Sequence, residues 1–281
     1  MIVLILGSLG FTGHNLRDCL NKRQDVEVVG VDRLSDRRGV DHVCDLRDHR
    51  AVDELLRTLR PDQIYNVAGS ITNNYEECYA SNVIITKNLL DVMVSMKLTG
   101  RLLLVGSAAE YGLVNVDDLP VRETQLLNPV SMYGLTKVYQ SVLMRTYRNL
   151  YDLDVVMVRP FNLIGKGISE NLFPGRLQRS IEDLKAGKIK RIKTGSLNAR
   201  RDYIYIDDAL VYYQLVMDRG IAGETYNIGS GRSVLLRDLL QDILNEQGLD
   251  MSVVDEMPIQ EKNKLDVPDI YGDISKLESL R

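Results

Sequence analysis

The sequence predicts an α/β chain built on a doubly wound parallel sheet, and three observations predict it. Short, wholly apolar runs such as Ile2-Val3-Leu4-Ile5-Leu6 alternate with stretches whose apolar residues recur at helical spacing. The apolar runs have no polar alternate positions, as in strands covered on both faces. The first of them leads straight into a glycine-rich turn, Gly7-Ser8-Leu9-Gly10-Phe11-Thr12-Gly13, that opens a helix.

The elements follow in order. Residues 2–6 are the first strand, residues 11–21 a helix and residues 26–31 the second strand. Over residues 51–59, Val52, Leu55, Leu56 and Leu59 fall on one helical face. Residues 63–67 form the third strand, 75–96 a long helix, 102–105 the fourth strand, 131–150 a helix and 155–158 the fifth strand. Repeated strand–helix order of this kind gives a parallel sheet. After Pro160 the pattern loosens. Helices are expected over 172–186, 207–218 and 235–246, with short strands near 189–193, 203–205 and 225–228. From Ser252 onward, where Pro258 and Pro268 occur, periodicity is weak.

The chain has 281 residues, 44% of them hydrophobic, which suits one large or two intimately joined domains. Its 35 basic and 39 acidic residues give a formal charge of −4, which argues against a nucleic-acid partner. Cys19, Cys44 and Cys78 make no disulfide framework and have no metal spacing. His14, His42 and His49 are not at ligand spacing either, so no metal site is expected. The apolar run at residues 2–6 is too short for a signal peptide and lacks a basic flank. No stretch approaches the ~20 apolar residues of a membrane span. A cytoplasmic protein without a membrane partner is expected.

The glycine turn has the physics of a phosphate site. Glycine permits a tight turn and close backbone approach, and the helix that follows points its free N–H groups at an anion. Val28-Val29-Gly30-Val31-Asp32 ends a strand on a carboxylate about 20 residues later, where an acid holds the adenosine ribose of a dinucleotide. Together these mark a Rossmann-type sheet. Asp32 favours NAD, because a 2′-phosphate would meet its charge, whereas Arg33, Arg37 and Arg38 leave NADP open. Residues 1–160 are read as this dinucleotide-binding domain and 161–281 mainly as a smaller substrate-binding region, with about 207–246 returning to the first.

Tyr133-Gly134-Leu135-Thr136-Lys137 places a tyrosine and a lysine at i and i+4 on one helix face. A free tyrosine titrates near pH 10 and is a poor base at neutrality. A lysine about 4 Å away, at an effective dielectric of ~20, contributes up to ~4 kcal/mol, at most about three pH units. The pair is therefore expected to bring Tyr133 into range for proton transfer at a hydroxyl or carbonyl. Ser107, just past the fourth strand, stands where such sheets bind ligands and is the third candidate.

Together these residues resemble the extended short-chain dehydrogenase/reductase family of sugar-nucleotide epimerases, dehydratases and reductases. Gly7 to Gly13 resembles its cofactor turn, Asp45-Leu46 the pair against the adenine, and Asn66-Val67-Ala68-Gly69 with Asn82 the stretch beside the nicotinamide ribose. Val105-Gly106-Ser107-Ala108-Ala109-Glu110-Tyr111-Gly112 resembles the serine strand, and Arg159-Pro160-Phe161-Asn162 the segment whose asparagine faces the substrate. Asn171-Leu172-Phe173-Pro174 looks like the substrate-pyrophosphate helix, and the Arg201-Asp202-Tyr203 segment like the one whose arginine meets the diphosphate. The stretch from Gly223 to Gly231 also fits.

Within the family, the 195–202 segment, Asn128-Pro129-Val130-Ser131 and Asp266-Val267-Pro268 are most similar to the GDP-4-keto-6-deoxy-mannose reductases. Dehydratases of the family carry acid–base carboxylates one and two residues after the serine or threonine; here those positions are Ala108 and Ala109. Glu110, one residue further on, is expected to point elsewhere. Lys264-Leu265-Asp266 departs from the family's usual Arg-Pro-x-Asp.

The resemblance implies NAD(P)-dependent reduction of the 4-keto group of a nucleotide-diphosphate 4-keto-6-deoxy sugar. Ser107, Tyr133 and Lys137 would be catalytic, and Asn162, Asn171 and Arg201 would bind substrate. It also implies a homodimer formed through the 75–96 and 131–150 helices. A C4 epimerase that recycles bound NAD uses the same residues. The third reading is a non-catalytic redox-sensing or RNA-associated relative, which the retained Tyr133 and Lys137 disfavour.

Overall fold

The computed structural model of the chain describes residues 1–34, 39–257 and 269–281. In chain order its elements begin with β1 (Ile2–Leu6), α1 (Phe11–Leu20), β2 (Glu27–Asp32), β3 (His42–Val43), α2 (His49–Leu59), β4 (Gln63–Asn66) and α3 (Tyr75–Cys78). A π-helical stretch (Tyr79–Ile84) leads into α4 (Ile85–Met96), followed by β5 (Arg101–Val105), a 3-10 turn (Ala108–Glu110), α5 (Met132–Tyr151), β6 (Val155–Pro160) and β7 (Asn162–Ile164). Then come α6 (Phe173–Lys185), β8 (Ile192–Thr194), β9 (Arg200–Arg201), β10 (Tyr203–Tyr205), α7 (Ile206–Arg219) and β11 (Thr225–Ile228). The chain ends with β12 (Val234–Leu235), α8 (Leu236–Glu246), β13 (Val254–Glu256), β14 (Asp269–Ile270) and α9 (Ser275–Glu278).

Among the described residues the main sheet has seven strands in the order β11-β6-β5-β4-β1-β2-β3, every pairing parallel. The chain direction across the sheet reverses between β1 and β4, and ligands bind at the carboxyl ends of such a switch. The unbroken apolar runs have their cause here. Leu4 and Leu6 pack on one face with Leu89, Leu90 and Met93, and Val3 and Ile5 on the other with Leu16, Tyr213 and Val216. A strand buried on both faces has no solvent side to keep polar.

A separate apolar cluster joins Leu177 and Ile181 of α6, Ile192 of β8, Leu197, and Leu240 and Leu244 of α8. Residues of the 207–246 segment divide between the two cores. Those of α7 and β11 pack against the main sheet, and those of α8 pack in the smaller cluster.

Two expectations need adjustment. The helix expected over 75–96 is broken by the π-helical stretch Tyr79–Ile84, which holds one extra residue per turn. Apolar periodicity does not reveal one inserted residue. The strand expected near 189–193 lies at Ile192–Thr194, where parallel pairing with β13 fixes it. The two- and three-residue strands β3, β7, β9, β12, β13 and β14 exist through tertiary pairing and carry no pattern long enough to read. Arg37, Arg38, Pro258, the 264–266 departure and Val267-Pro268 lie outside the described residues. Among the described residues no helix is long and apolar enough to cross a membrane.

Candidate active site

The turn after β1 is shaped by contacts that only glycine allows. Gly7 has φ +86, and a Cβ there would stand 2.7 Å from the Ala68 Cα. A Cβ on Gly13 would stand 2.1 Å from the Gly7 carbonyl oxygen. Helix α1 starts at Gly10 with no side-chain cap and no acidic residue in its first turn. Its leading N–H groups therefore keep the positive end that a pyrophosphate requires. The Asp32 carboxylate accepts from Leu9 N (3.1 Å) and from Arg33 N (2.8 Å), tying the end of β2 to the turn.

These residues open on a cavity of about 250 Å³ lined by Gly7, Gly10, Asp32, Arg33, Asp45 and Leu46, and by Val67, Ala68 and Gly69. Asp45 is clasped by Arg47, whose Nε and Nη2 donate to it at 2.8 and 2.6 Å. That guanidinium, chiefly by hydrogen bonding, holds the Asp45 carboxyl below its usual range. The bare glycine turn, the uncapped helix and the acid at the end of β2 together fit a dinucleotide.

A second cavity of about 390 Å³ shares Gly10, Val67, Gly69 and Ser70 with the first. Phe11, Thr12, Asn82, Ser107, Tyr133, Lys137 and Asn162 line it, so one continuous cleft joins the glycine turn to the catalytic candidates. Tyr133 and Lys137 lie in the first turns of α5, which Ser131 caps by accepting from Gly134 N (3.0 Å).

Lys137 is buried. Its Nζ donates to the Val105 carbonyl (2.7 Å) and to Gln140 Oε1 (3.1 Å), and it lies 5.8 Å from the centroid of the Tyr133 ring. Gln140 Nε2 donates in turn to Thr86 Oγ1 (3.0 Å), and Thr86 Oγ1 to the Asn82 carbonyl (2.7 Å). The Asn82 amide accepts from Ser70 N (3.1 Å) and donates to Thr136 Oγ1 (3.0 Å). The π-helical stretch thus carries the asparagine that locks the rear of α5 to the cleft wall.

The proton chemistry differs from the sequence expectation. Burial raises the Tyr133 phenol to about 12, with a hydrogen bond from Ser107 working against it, and burial lowers Lys137 to about 8. Both groups are pushed toward their neutral forms. Burial dominates at Tyr133, and the Lys137 ammonium is aimed at two oxygens other than the phenol's. Tyr133 is thereby kept protonated at neutral pH, as a proton donor must be.

Ser107 caps the 3-10 turn after β5, its Oγ accepting from Ala109 N (3.1 Å). Glu110 turns away from the cleft, as expected, and is fully buried against Arg159, whose Nε donates to it at 2.9 Å. Asn162 lines the cleft and donates from Nδ2 to the Asp202 carbonyl (2.9 Å). Asn171 and Arg201 are not among the residues that line it. Asn171 Oδ1 and Nδ2 are on an exposed residue whose carbonyl accepts from Arg176, and Arg201 donates to the Arg200 carbonyl. Sequence reasoning missed Gln140, which is one helical turn after Lys137 and so could have been suspected. It also missed Ile168 of the lining, and Tyr203 and Leu163, whose places depend on the β7–β10 pairing and carry no local signal.

Residues 3–229 match the NAD dependent epimerase/dehydratase family. The chain belongs to that family.

Among relatives in the epimerase/dehydratase family, a GDP-6-deoxy-D-talose 4-dehydrogenase of Aggregatibacter actinomycetemcomitans is 28% identical over 288 aligned positions, covering 99% of this chain and 90% of the relative. A GDP-6-deoxy-D-mannose reductase of Pseudomonas aeruginosa is 26% identical, covering 77% and 73%. A UDP-glucose 4-epimerase of Mycoplasma genitalium is 26% identical, covering 82% and 76%. The solved structure of RMD from Pseudomonas aeruginosa complexed with NADPH superposes with a TM-score of 0.87 over 99% of this chain and 91% of that one, at 23% identity, and shares its fold.

Proposed function

We propose that the chain reduces the 4-keto group of a nucleotide-diphosphate 4-keto-6-deoxy sugar. The observation that carries the reading is the meeting of Ser107, Tyr133 and Lys137 in one cleft with the glycine turn, with Ala108 and Ala109 where an eliminating enzyme needs carboxylates. Glu110, the nearest acid, is committed to Arg159. The GDP-6-deoxy-sugar relatives support the same chemistry.

A bound reduced nicotinamide supplies the hydride that C4 accepts. Tyr133 gives its proton to the carbonyl oxygen as that oxygen becomes a hydroxyl, and the solvent-facing cleft returns a proton to the phenol. Ser107 holds the same oxygen in line. Lys137 would hold the nicotinamide ribose and Asp32 the adenosine ribose, with Asp45, Leu46 and Asn82 completing the cofactor wall. We assign NAD as the preferred cofactor, because a 2′-phosphate would meet the Asp32 charge, with Arg33 leaving NADP open. Asn162 contacts the sugar. Asn171 and Arg201 remain proposed diphosphate contacts that must turn toward the cleft on binding.

The test is incubation of purified protein with GDP-4-keto-6-deoxy-mannose and NADH or NADPH. Oxidation of either cofactor matched by a deoxyhexose product supports the reading, and no oxidation with either contradicts it. A C4 epimerase is the second reading, favoured by the UDP-glucose 4-epimerase relative. It predicts turnover without added cofactor and NAD released on denaturation.

The partner is a second copy of the chain in this proposal. Tyr139, Val142, Leu150 and Tyr151 of α5 and Tyr75 of α3 expose apolar surface on adjoining helices. Sedimentation velocity tests it: a dimer is expected, and a monomer at micromolar concentration contradicts it.

A further inference from the structure

Glu110 is fully buried, and the proposed chemistry gives it no proton to move. Its two carboxylate oxygens nonetheless face different tasks. Oε1 accepts from the Ser107 backbone N–H at 2.9 Å. Oε2 accepts from Arg159 Nε at 2.9 Å and from Ser141 Oγ at 2.5 Å. Arg159 donates from Nη2 to Ser141 Oγ (3.1 Å), and its guanidinium lies 5.1 Å from the centroid of the Tyr111 ring. The fit is close, because a Cβ on Gly106 would stand 2.4 Å from Glu110 Oε1.

We propose that Glu110 is a positioning residue for the reaction: its carboxylate fixes the turn that presents Ser107 and keeps a buried anion behind the Tyr133–Lys137 pair. The inference rests on the reading of Ser107, Tyr133 and Lys137 as the catalytic set. Ser107 has little freedom once its N–H is held by Oε1 and its Oγ by Ala109 N. The anion favours the proton on both partners, raising Tyr133 and Lys137 alike against what burial does to the lysine. The other titratable groups that face the pair are Cys78 from α3 and Tyr213 from α7; Arg159 from β6, Tyr111 and Glu123 surround the far side of Glu110.

The arrangement separates charge from positioning. Ser141 Oγ touches both Glu110 and Arg159, so a carboxylate moved to position 141 still meets Arg159 but leaves the Ser107 N–H without its acceptor. The experiment compares wild type, Glu110→Gln, and Glu110→Ala combined with Ser141→Glu, using melting temperature and the pH profile of ketone reduction. Glu110→Gln is expected to lower kcat by tenfold or more with the sugar-nucleotide KM little changed. Its alkaline limb should move to lower pH by about one unit, since removing a buried anion lowers the phenol's proton affinity.

The transposed double variant should recover the melting temperature and the position of the limb while kcat stays low. If Glu110→Gln does not fold, the double variant alone decides. A double variant with wild-type kcat overturns the proposal, and so does a folded Glu110→Gln with unmoved kcat and limb, or one that loses only melting temperature. A wild-type protein that turns over no sugar nucleotide overturns the functional reading itself, before any variant is compared.

Discussion

The Lys137 ammonium meets the Val105 carbonyl at 2.7 Å, pinning α5 to the end of β5 at the point where the cleft opens. The contact makes the lysine a strut between helix and sheet as well as a cleft residue. It also means that a buried cation is held by two neutral oxygens, those of Val105 and Gln140.

Burial of that cation should be visible in stability. Lys137 ordinarily titrates near 10.5 and is lowered to about 8, chiefly by desolvation. A depressed lysine contributes stability fully above pH 10.5 and loses it as pH falls to about 8, a swing of about 3 kcal/mol. In cofactor-free protein, the wild type should therefore gain stability relative to Lys137→Met between pH 8 and 10. Chemical denaturation across that range measures it, and parallel pH curves for the two proteins refute it.

Tyr133→Phe removes the proposed proton donor and keeps the ring. The expected loss in kcat is about a hundredfold or more. Cofactor affinity and sugar-nucleotide KM should change little. Because the phenol is held near 12, wild-type reduction should persist through neutral pH and fall only at the alkaline end. Steady-state kinetics over pH checks both parts.

Gly13→Ala places a methyl group 2.1 Å from the Gly7 carbonyl oxygen, a separation that backbone must open to relieve. The cofactor turn should widen and NAD(P)H affinity should fall about tenfold or more. Titration by nicotinamide fluorescence gives the value. Affinity equal to the wild type would show that the turn does not hold the pyrophosphate.

Asp32 accepts from the backbone N–H groups of Leu9 and Arg33 and lines the cofactor cavity. Asp32→Ala should weaken NADH binding and narrow or reverse its preference over NADPH, since the charge opposing a 2′-phosphate is gone while Arg33 stays at the rim. Competitive binding of the two dinucleotides measures the ratio.

Much of this was legible in the sequence because it is local. The β1 run, the glycine turn, Asp32, and Tyr133 with Lys137 each occupy one element, and their spacing alone states their geometry. What was not legible depends on contacts between distant segments. Gln140 follows Lys137 by one helical turn, but its bond to Thr86 of α4 joins residues 54 apart in the chain. The short pair β7 and β10 brings Asn162 beside Tyr203 and builds one wall of the cleft, yet neither strand exceeds three residues. The π-helical stretch that presents Asn82 hides inside an ordinary apolar pattern. Tyr133 titrates upward because of what packs around it, which a charge at i+4 does not reveal.

We propose that the cleft reduces a nucleotide-linked ketone with Tyr133 as the proton donor. The most direct measurement is single-turnover oxidation of NADH or NADPH by wild type and Tyr133→Phe, mixed with GDP-4-keto-6-deoxy-mannose, with the sugar product identified by mass. One reduced deoxyhexose per nicotinamide oxidised is expected in the wild type, with a rate at least about a hundredfold lower in the variant. Oxidation at equal rates in both proteins, or none in the wild type with either dinucleotide, would contradict it.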